Sequence, residues 1–205
     1  MDYAGFFDSI SHRILLNMLE DVLEDERVFA LTKMFIDAFP GEYGLGLGSE
    51  VSQTCAIFYP NKIDHYVKEK LHIEGYARYM DDSYVIHEDL DYLRHCRDEI
   101  ERIASEDLEL HLNPKRTMIV RFDGGSFCYL KKRIRITESG KILMRMSREN
   151  VTRHRRKLKR LEKKNVDLDS ARKTHQSWRG YAEKYDTRDT VETMDDLFRD
   201  LFGGE

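Results

Sequence analysis

The sequence has few of the features that mark secreted, membrane or disulfide-rich proteins. It contains no run of about 18 apolar residues and no basic-then-apolar signal segment, so we expect neither a membrane span nor a membrane partner. The three cysteines, Cys55, Cys96 and Cys128, are far apart and form no C-x-x-C pair. This spacing favours reduced thiols in the core of a cytoplasmic protein over disulfides or a zinc site.

The charges are divided unevenly along the 205 residues, although the formal net charge is only −4. Residues 131–164 contain 15 Lys/Arg and three Asp/Glu, whereas the rest of the chain contains 19 basic and 35 acidic side chains. An acidic body can collect cations, and a basic segment can bind a polyanion such as a nucleic acid. The alternative for the basic segment is a helix whose charged face is simply solvated.

The spacing of apolar residues predicts a mostly helical chain with two hairpins. Helical spacing recurs in seven stretches, which are residues 11–23, 26–39, 50–71, 92–104, 147–165, 171–184 and 191–202. Pro60 predicts a break inside the third stretch. A short apolar strand is expected after Thr117. Residues 127–130 and 142–144 are predicted to form a hairpin with a turn at Gly140.

Two adjacent carboxylates, Asp81 and Asp82, lie between short runs of aromatic and β-branched residues. These runs, residues 75–79 and 83–87, alternate as strands do and predict a β-hairpin with the acids at its tip. Asp-Asp is also common in turns for structural reasons alone, because Asp accepts backbone hydrogen bonds there. A carboxylate pair on a rigid hairpin nevertheless suits Mg²⁺, which prefers oxygen ligands. Such a site needs at least one more carboxylate.

Asp2 is the candidate for the third carboxylate. Asp8, which follows the aromatic pair Phe6 and Phe7, is better placed to lead into the helix that begins after Ser11. One carboxylate from a strand and a pair from a neighbouring hairpin can hold two ions about 4 Å apart, the arrangement that supports phosphoryl transfer. The three acids therefore predict a two-metal site, provided that the fold brings them together.

Five segments resemble, in order, the motifs of reverse transcriptases from bacterial retroelements such as group II introns, retrons and diversity-generating elements. They are residues 1–10 (the first catalytic motif), 44–53 (a glycine loop opening onto a helix), 79–82 (Tyr-x-Asp-Asp), 112–117 (the fourth motif) and 127–131 (the primer grip). The resemblance implies an α+β fold, with a polymerase palm of antiparallel sheet and packed helices followed by a helical, basic thumb. It divides the chain into a palm (1–125), a primer-grip hairpin (126–146) and a thumb (147–205).

The resemblance implies an RNA-directed DNA polymerase, which transfers a nucleotide from dNTP to the 3′-hydroxyl of a DNA primer on an RNA template. Asp2, Asp81 and Asp82 align with the catalytic acids of the family. Asp2 and Asp81, with the backbone carbonyl of Tyr3, would be the direct ligands of two Mg²⁺ ions, which Mn²⁺ could replace, and Asp82 would ligate them or orient the site. Positioning and charge neutralisation would supply most of the catalysis.

The resemblance also assigns a nucleotide pocket. Phe7 falls at the position of the sugar gate, which excludes a ribose 2′-hydroxyl, and its alternative role is that of a core aromatic. The other residues assigned to the pocket are Leu47, Gly48, Ser52, Gln53 and either Lys115 or Arg116. Leu47 replaces a polar residue of many relatives, which leads to the hypothesis of a low-fidelity enzyme. Lys115 suits proton donation to the departing pyrophosphate better than Arg116, because arginine scarcely gives up its proton.

The basic segment would bind the backbone of an RNA–DNA duplex, holding register without reading sequence. The residues assigned to this surface are Lys131, Lys132, Arg153, Arg156, Lys157, Arg160 and Lys164. Trp178 is expected to pack inside the thumb rather than stack on a base. Relatives carry a fingers region before the first motif, whereas Asp2 is the second residue here, so we expect the chain alone to polymerise poorly.

Two other readings are consistent with parts of the sequence. One is a catalytically silent RNA- or DNA-binding module, derived from a reverse transcriptase, that uses the basic segment. The other is a different palm-type enzyme, such as a nucleotide cyclase. The sequence contains no Gly-Gly-Asp/Glu-Glu-Phe segment, which argues against the common signalling cyclases.

Overall fold

The computed structural model describes residues 1–122 and 125–203, and it divides the chain into two compact units. The first unit is Met1–Ile119 and the second is Val120–Glu205. Both combine helices with a small antiparallel sheet, so the predicted α+β class is confirmed. The predicted primer-grip hairpin (126–146) and the predicted thumb (147–205) lie together in the second unit.

Six helices make up most of the first unit. They are α1 (Phe6–Ser9), α2 (His12–Glu20), α3 (Glu26–Asp37), α4 (Glu50–Phe58), α5 (Asn61–His65) and α6 (Leu90–Leu108). Three of them, α3, α4 and α6, begin after a short polar side chain that accepts hydrogen bonds from otherwise unpaired backbone N–H groups. Asp25 accepts from Arg27 before α3, and Asp89 accepts from Asp91 and Tyr92 before α6.

The predicted break in the long helical stretch is present at Pro60. Helix α4 ends at Phe58 and α5 begins at Asn61, because proline has no N–H to continue the hydrogen-bond ladder. Helix α5 then runs into one π-helical turn, Tyr66–Lys70. The third predicted helix is therefore three shorter helical pieces in series.

The acidic hairpin is also confirmed. Strands β1 (Gly75–Tyr79) and β2 (Asp82–Ile86) are antiparallel, with Tyr79 opposite Asp82. Met80 and Asp81 form the two-residue turn, and Met80 has a positive φ of 55°, as tight hairpin turns require. Asp81 thus lies at the tip, while Asp82 is the first residue of the second strand.

Two short strands expected from the sequence are absent. The segment around Asp2 forms only an isolated antiparallel bridge, between Tyr3 and Leu112. It is too short for a strand because Gly5, with φ of 57°, turns the chain into α1 immediately afterwards. Residues 118–122, expected to begin with an apolar strand, form none.

The core of the first unit is a single cluster of buried apolar side chains from the helices and the N-terminal segment. The largest fully buried members are Ile10, Leu15, Ile36, Tyr59, Ile63, Ile100, Leu108 and Leu110. The Tyr59 hydroxyl is satisfied inside this core: it donates to the Leu108 carbonyl at 2.7 Å and accepts from the Ser11 amide at 3.3 Å. This pairing connects α4, α6 and the start of α2.

The second unit begins with a three-stranded antiparallel sheet rather than the single hairpin that the sequence predicts. Its strands are β3 (Ser126–Tyr129), β4 (Lys132–Ile136) and β5 (Ile142–Met146), in that order. Residues 127–130 therefore pair with β4 and not with 142–144. Leu130 and Lys131 both have positive φ and make the β3–β4 turn. The prediction missed β4 because three of its five residues are basic.

Three helices complete the second unit: α7 (Arg148–Lys163), α8 (Leu168–Ala182) and α9 (Arg188–Phe202). The Ser147 hydroxyl accepts from the Asn150 amide and caps α7, the helix predicted over 147–165. Met146, Ala182 and Val191 form the buried centre, with Trp178 packed against them, so the packing role expected for Trp178 is confirmed. Over residues 1–122 and 125–203, no helix is long and apolar enough to cross a membrane.

The cysteines follow the prediction in part. Cys55 and Cys96 are buried free thiols in the first unit, and burial raises the pKa of both. Cys128 is also free but exposed, which corrects the expectation of three core thiols. It lies on β3, on the face of the sheet that points away from Met146 and the helices.

Candidate metal and nucleotide site

The chain start and the acidic hairpin lie side by side. The terminal amino group of Met1 donates to the Ser83 carbonyl at 2.8 Å, and the Ser83 amide donates to the Met1 carbonyl at 3.0 Å. This reciprocal exchange is the pattern of an antiparallel pair, so the next residues along, Asp2 and Asp82, stand opposite each other. In such non-hydrogen-bonded pairs the Cα atoms are about 4.5 Å apart and the side chains share one face. The structure therefore brings Asp2 beside Asp82, with Asp81 at the adjoining turn.

The other side of the Asp2 segment is held by the fourth motif. The Asn113 amide donates to the Asp2 carbonyl at 2.8 Å, and the Ala4 amide donates to the His111 carbonyl at 2.9 Å. Tyr3 and Leu112 between them form a non-hydrogen-bonded pair, so the backbone groups of Tyr3 point away from Leu112. That orientation directs the Tyr3 carbonyl, one of the predicted ligands, toward the side occupied by the hairpin.

The three acids and Arg116 lie close enough to affect one another's charge. The pKa of Asp82 is raised, first by burial and then by the negative charges of Asp81 and Asp2. Arg116 donates to Oδ2 of Asp2 at 2.6 Å, and this bond, followed by the charges of Asp2 and the acidic pair, raises the pKa of Arg116. The Asp2 side chain is only 5% exposed, whereas that of Arg116 is 70% exposed. A cation thus already neutralises a buried carboxylate at this position.

The donor set fits a hard divalent cation. Three carboxylates, one of which is made harder to ionise by the other two, provide negative charge and oxygen ligands, which Mg²⁺ and Mn²⁺ prefer. As the side chains stand, no three His, Cys, Asp or Glu residues in the described part of the chain are close enough to bind one ion. Instead, the Asp2 carboxylate is bonded to the guanidinium of Arg116.

The residues predicted to bind the nucleotide lie at different depths. Phe7 is half-buried against Phe6, with ring centroids 5.8 Å apart at 85°, and its carbonyl accepts from the Leu45 amide of the glycine loop at 3.0 Å. Leu47 is 82% exposed, and Gly48 has a φ of +94° with open space around it. The loop therefore carries Leu47 on its outer surface.

The remaining pocket candidates divide in the same way. Ser52 is buried, and its hydroxyl has no hydrogen-bond partner among the residues that the structure describes, whereas Gln53, the next residue of α4, is exposed. Lys115 is exposed in the turn that follows Asn113, whose side chain accepts from the Lys115 amide at 3.1 Å. Among the residues named for the pocket, Arg116 is the one whose described side-chain contacts reach one of the three predicted catalytic acids, Asp2.

A buried ion pair that the sequence reading missed holds the hairpin in place. Arg78, on β1, donates to both carboxylate oxygens of Asp64 on α5, and to the carbonyls of Met80 at 3.0 Å and Ile57 at 2.9 Å. The Tyr76 hydroxyl donates to Asp64 at 2.6 Å. The Arg78 side chain is 9% exposed. One guanidinium therefore joins the acidic turn to two helices.

The basic residues predicted to bind nucleic acid differ in their surroundings. Lys132 lies with its ammonium 5.3 Å from the centre of the Tyr185 ring, and Arg153 pairs with Glu149 at 2.8 Å. The other predicted residues, Lys131, Arg156, Lys157, Arg160 and Lys164, are exposed. On α7 the apolar side is formed by Val151, Leu158 and Leu161, as the spacing predicts.

The second unit also contains a buried polar chain with no signal in the sequence. His154 Nε2 lies 3.0 Å from His175 Nδ1, and His175 Nε2 lies 2.8 Å from Asp195 Oδ1. The Trp178 ring stacks on His154 at 4.3 Å, and Trp178 donates to Asn150 at 3.1 Å. These three side chains link α7, α8 and α9. Each bonded pair is 20 or more positions apart in sequence, so no local pattern could have revealed the contacts.

No protein-family model matches this sequence, and a search of the curated proteins returns no match. The resemblance to reverse transcriptases rests on the motifs and their order.

Proposed function

We propose that this chain carries the catalytic palm and the thumb of an RNA-directed DNA polymerase of the bacterial retroelement type. The observation that supports it most is the pairing of Met1 with Ser83, which places Asp2 opposite Asp82 although 80 positions separate them. The resemblance to the polymerase motifs requires that Asp2, Asp81 and Asp82 lie close together in the folded chain. In this proposal the first unit is the palm, and the second unit contains the primer grip and the thumb.

The residues of the first unit would act by binding and orienting the reactants. The 3′-hydroxyl of the primer gives its proton to solvent, its oxygen forms a bond to the α-phosphorus of a dNTP, and the bond from that phosphorus to pyrophosphate breaks. Asp2, Asp81 and Asp82 would hold the divalent ions, which when bound supply charge neutralisation at the phosphates. Lys115 would donate a proton to the departing pyrophosphate, since Arg116 is engaged with Asp2 and scarcely gives up its proton.

Phe7 would set the choice of sugar. Its backbone is fixed to the glycine loop through Leu45, so the ring has a defined place beside that loop. A ring under the ribose leaves no room for a 2′-hydroxyl. Replacing Phe7 with alanine should therefore admit ribonucleotides, and Leu47→Gln should lower misincorporation if Leu47 causes low fidelity.

The test is metal binding and nucleotide incorporation by the same set of proteins. Titration calorimetry with MnCl₂ and MgCl₂ should show binding to the wild-type chain that weakens at least about tenfold in Asp81→Asn. Asp91→Asn is the matched control, because Asp91 is an exposed acid that pairs with Arg94 outside the site. Primer extension on an RNA template, which we expect to be weak for this chain alone, should depend on the ion and be lost in Asp81→Asn. Absence of ion binding to the wild-type chain would contradict the proposal.

The Arg116–Asp2 ion pair favours a second candidate, a silent nucleic-acid-binding module. A guanidinium that permanently neutralises Asp2 would keep divalent ions away from it. In that case the basic residues of α7 would bind nucleic acid in the presence of a chelator, and Arg116→Gln would not create ion binding. Incorporation by the wild-type protein excludes this candidate.

A further inference from the structure

Helix α3 is apolar on the side that it turns to solvent as well as on the side that it turns to the core. Ile36 is fully buried, and Phe29 packs against the same core. On the outer side, Val28, Leu31 and Met34 are 48%, 62% and 65% exposed. A surface helix usually carries polar side chains on its outer side, whereas a helix that is apolar all round is buried. The outer side of α3 is therefore suited to burial against a partner.

The exposed apolar side chains of α3 form one contiguous row. Val28, Leu31 and Met34 follow one another at intervals of three residues, and side chains at that spacing are neighbours on a helix surface. Exposed apolar residues scattered singly are normal, but a contiguous row marks a contact with another molecule. We call Val28, Leu31 and Met34 the α3 face.

Acidic side chains collect at the N-terminal end of the α3 face. Residues 20–37 contain six Asp/Glu and two Lys/Arg, which gives a net charge of −4. The two cations are already paired, Arg27 with Asp25 at 3.4 Å and Lys33 with Asp37 at 2.9 Å. The other four acids are exposed and form no ion pair within residues 1–122 and 125–203. They are Glu20, Asp21, Glu24 and Glu26.

Two of these acids stand where they weaken their own helix. Glu20 is the last residue of α2, Asp21 is its C-terminal cap, and the last turn of α2 has no basic residue. The C-terminal end of a helix carries partial negative charge, so carboxylates are unfavourable there. Asp25 and Glu26 differ, because they lie at the N-terminal end of α3, where negative charge is favourable. Glu20 and Asp21 would therefore be stabilised by cations from another molecule.

The apolar row and the acids together indicate the chemistry of that molecule. A row of side chains at helical spacing packs against a second helix, whose apolar side chains recur every three or four residues. Uncompensated carboxylates favour lysine and arginine on this second helix, and they disfavour nucleic acid and anionic lipid headgroups. A second copy of the same face is disfavoured as well, because it would bring a further net charge of −4 to the contact.

We propose that the α3 face binds a basic amphipathic helix of a partner protein. The apolar side chains of that helix cover Val28, Leu31 and Met34, and its cations pair with the acids that begin at Glu20. The row is about 9 Å long, so about three turns of partner helix cover the row and the acids. Binding weakens as the salt concentration rises. The inference does not rest on the proposed function, because no predicted metal, nucleotide or nucleic-acid ligand belongs to this face.

The first experiment tests the apolar row by fluorescence anisotropy of a labelled peptide. The peptide is a helix of about 15 residues in which leucines recur every three or four positions among lysines and alanines. Leu31→Ser/Met34→Ser should weaken its binding at least about tenfold. The matched control, Ile142→Ser/Leu168→Ser, removes exposed apolar side chains from the second unit and should leave the affinity unchanged. Absence of binding to the wild type, or equal weakening in the two variants, would overturn the proposal.

The second experiment tests the charges with Glu20→Gln/Asp21→Asn. Its affinity for the peptide at low salt should fall several-fold, and the dependence on salt should become weaker. The urea midpoint of the free protein should not fall, because α2 loses two unfavourable charges. Glu88→Gln/Glu101→Gln, which neutralises two exposed acids elsewhere in the first unit, should keep the wild-type affinity. A lower urea midpoint with unchanged affinity would show that the acids serve the fold and would contradict the proposal.

The third experiment locates the contact and tests the other occupants. In EDTA, the peptide should slow hydrogen exchange of the amides of α3 and leave those of α7 unchanged. Sedimentation without the peptide should show no self-association that Leu31→Ser/Met34→Ser removes, since such self-association would assign the α3 face to a second copy. Flotation with phosphatidylcholine vesicles that is lost in the same variant would assign the face to a membrane. Either of these two results would reject a helical protein partner.

Discussion

Arg116 donates to the buried carboxylate of Asp2 at 2.6 Å, across 114 positions of sequence. This bond places a positive charge where the motif reading expects divalent ions, so the guanidinium and the ion should compete for one carboxylate. Arg116→Ala should lower the free energy of unfolding by about 1–2 kcal/mol in EDTA, because Asp2 then lacks its partner beside two other acids. Addition of MgCl₂ should restore most of the loss.

The measurement is urea unfolding followed by circular dichroism, with and without MgCl₂. Arg13→Ala is a close control, because Arg13 is 69% exposed and pairs with a distant residue, Glu109, at 2.9 Å outside the site. Its loss of stability should be small and should not respond to MgCl₂. If the two variants respond alike to the ion, Asp2 does not belong to a metal site.

The Asp64–Arg78 pair provides the second prediction. Asp64→Asn leaves the nearly buried Arg78 guanidinium without a counter-charge, while its bonds to Met80 and Ile57 still hold it in place. Removing one partner of such a pair should lower the free energy of unfolding by about 3 kcal/mol. Hydrogen exchange of the hairpin amides, residues 79–83, should accelerate, because Arg78 then holds the turn to α4 through Ile57 but has lost its charged partner on α5.

Arg102→Lys is the comparison for this prediction. Arg102 pairs with Glu99 and Glu106 on the exposed side of α6, where ion pairs contribute little. Stability and hairpin exchange should both stay near the wild-type values in that variant. Wild-type exchange in Asp64→Asn would show that the turn is held by other contacts.

Tyr59 provides a prediction about the core. Tyr59→Phe keeps the ring but removes the hydroxyl that connects the Ser11 amide and the Leu108 carbonyl, leaving both buried groups unpaired. We expect a loss of about 1–3 kcal/mol in the free energy of unfolding, measured by urea titration. Tyr43→Phe, which removes an exposed hydroxyl bonded to Glu109, should leave the free energy of unfolding close to the wild-type value. Equal losses in the two variants would contradict the role given to Tyr59.

Features set by neighbouring residues could be predicted from the sequence. The acidic hairpin, the basic helix that starts near residue 147 and the break at Pro60 each depend on nearby positions, and the structure has all three. Strand β4 was missed because lysine and arginine are not typical of strands, and only the pairing with both neighbours shows it.

Contacts between residues far apart in sequence could not be predicted from the local spacing of residue types. No sequence pattern around Arg78 indicates that it pairs with Asp64, and none around His154 indicates that it contacts His175. The Asp2 segment was expected to be a strand, yet it is held beside the hairpin by a few backbone bonds around one bridge. Its neighbours, and not its own propensity, determine where the carboxylate lies.

The buried histidine pair of the second unit predicts a loss of stability in mild acid. Burial, then the charges of His175 and Lys157, lower the pKa of His154 to about 4 from its ordinary value of 6.5. The His154 ring is buried with Nε2 lying 3.0 Å from His175 Nδ1, so a proton taken up by His154 would place a charge inside this polar chain. The only anion facing the pair, among the residues the structure describes, is Asp195, which also lies 3.5 Å from Arg179.

The sign follows from where the proton binds. Between about pH 6.5 and pH 4 the unfolded chain protonates His154 while the folded chain does not, so stability is full above this range and falls as the pH is lowered through it. From about pH 7 to about pH 5 the loss attributable to His154 should be about 2 kcal/mol. Trp178, the single tryptophan, stacks on His154, so its fluorescence during urea unfolding reports on this unit.

The variant that isolates the effect is His154→Asn, which removes the titrating ring. Its overall stability should be lower, because His175 loses a partner, but its decline between about pH 7 and about pH 5 should be smaller than that of the wild type by about 2 kcal/mol. His65→Asn, at an exposed histidine that pairs with Glu69 in the first unit, should keep the wild-type decline. Carboxylates titrate in all three proteins, so the test is the difference between the slopes of unfolding free energy against pH. Identical slopes for the wild type and His154→Asn would show that burial does not lower the pKa of His154.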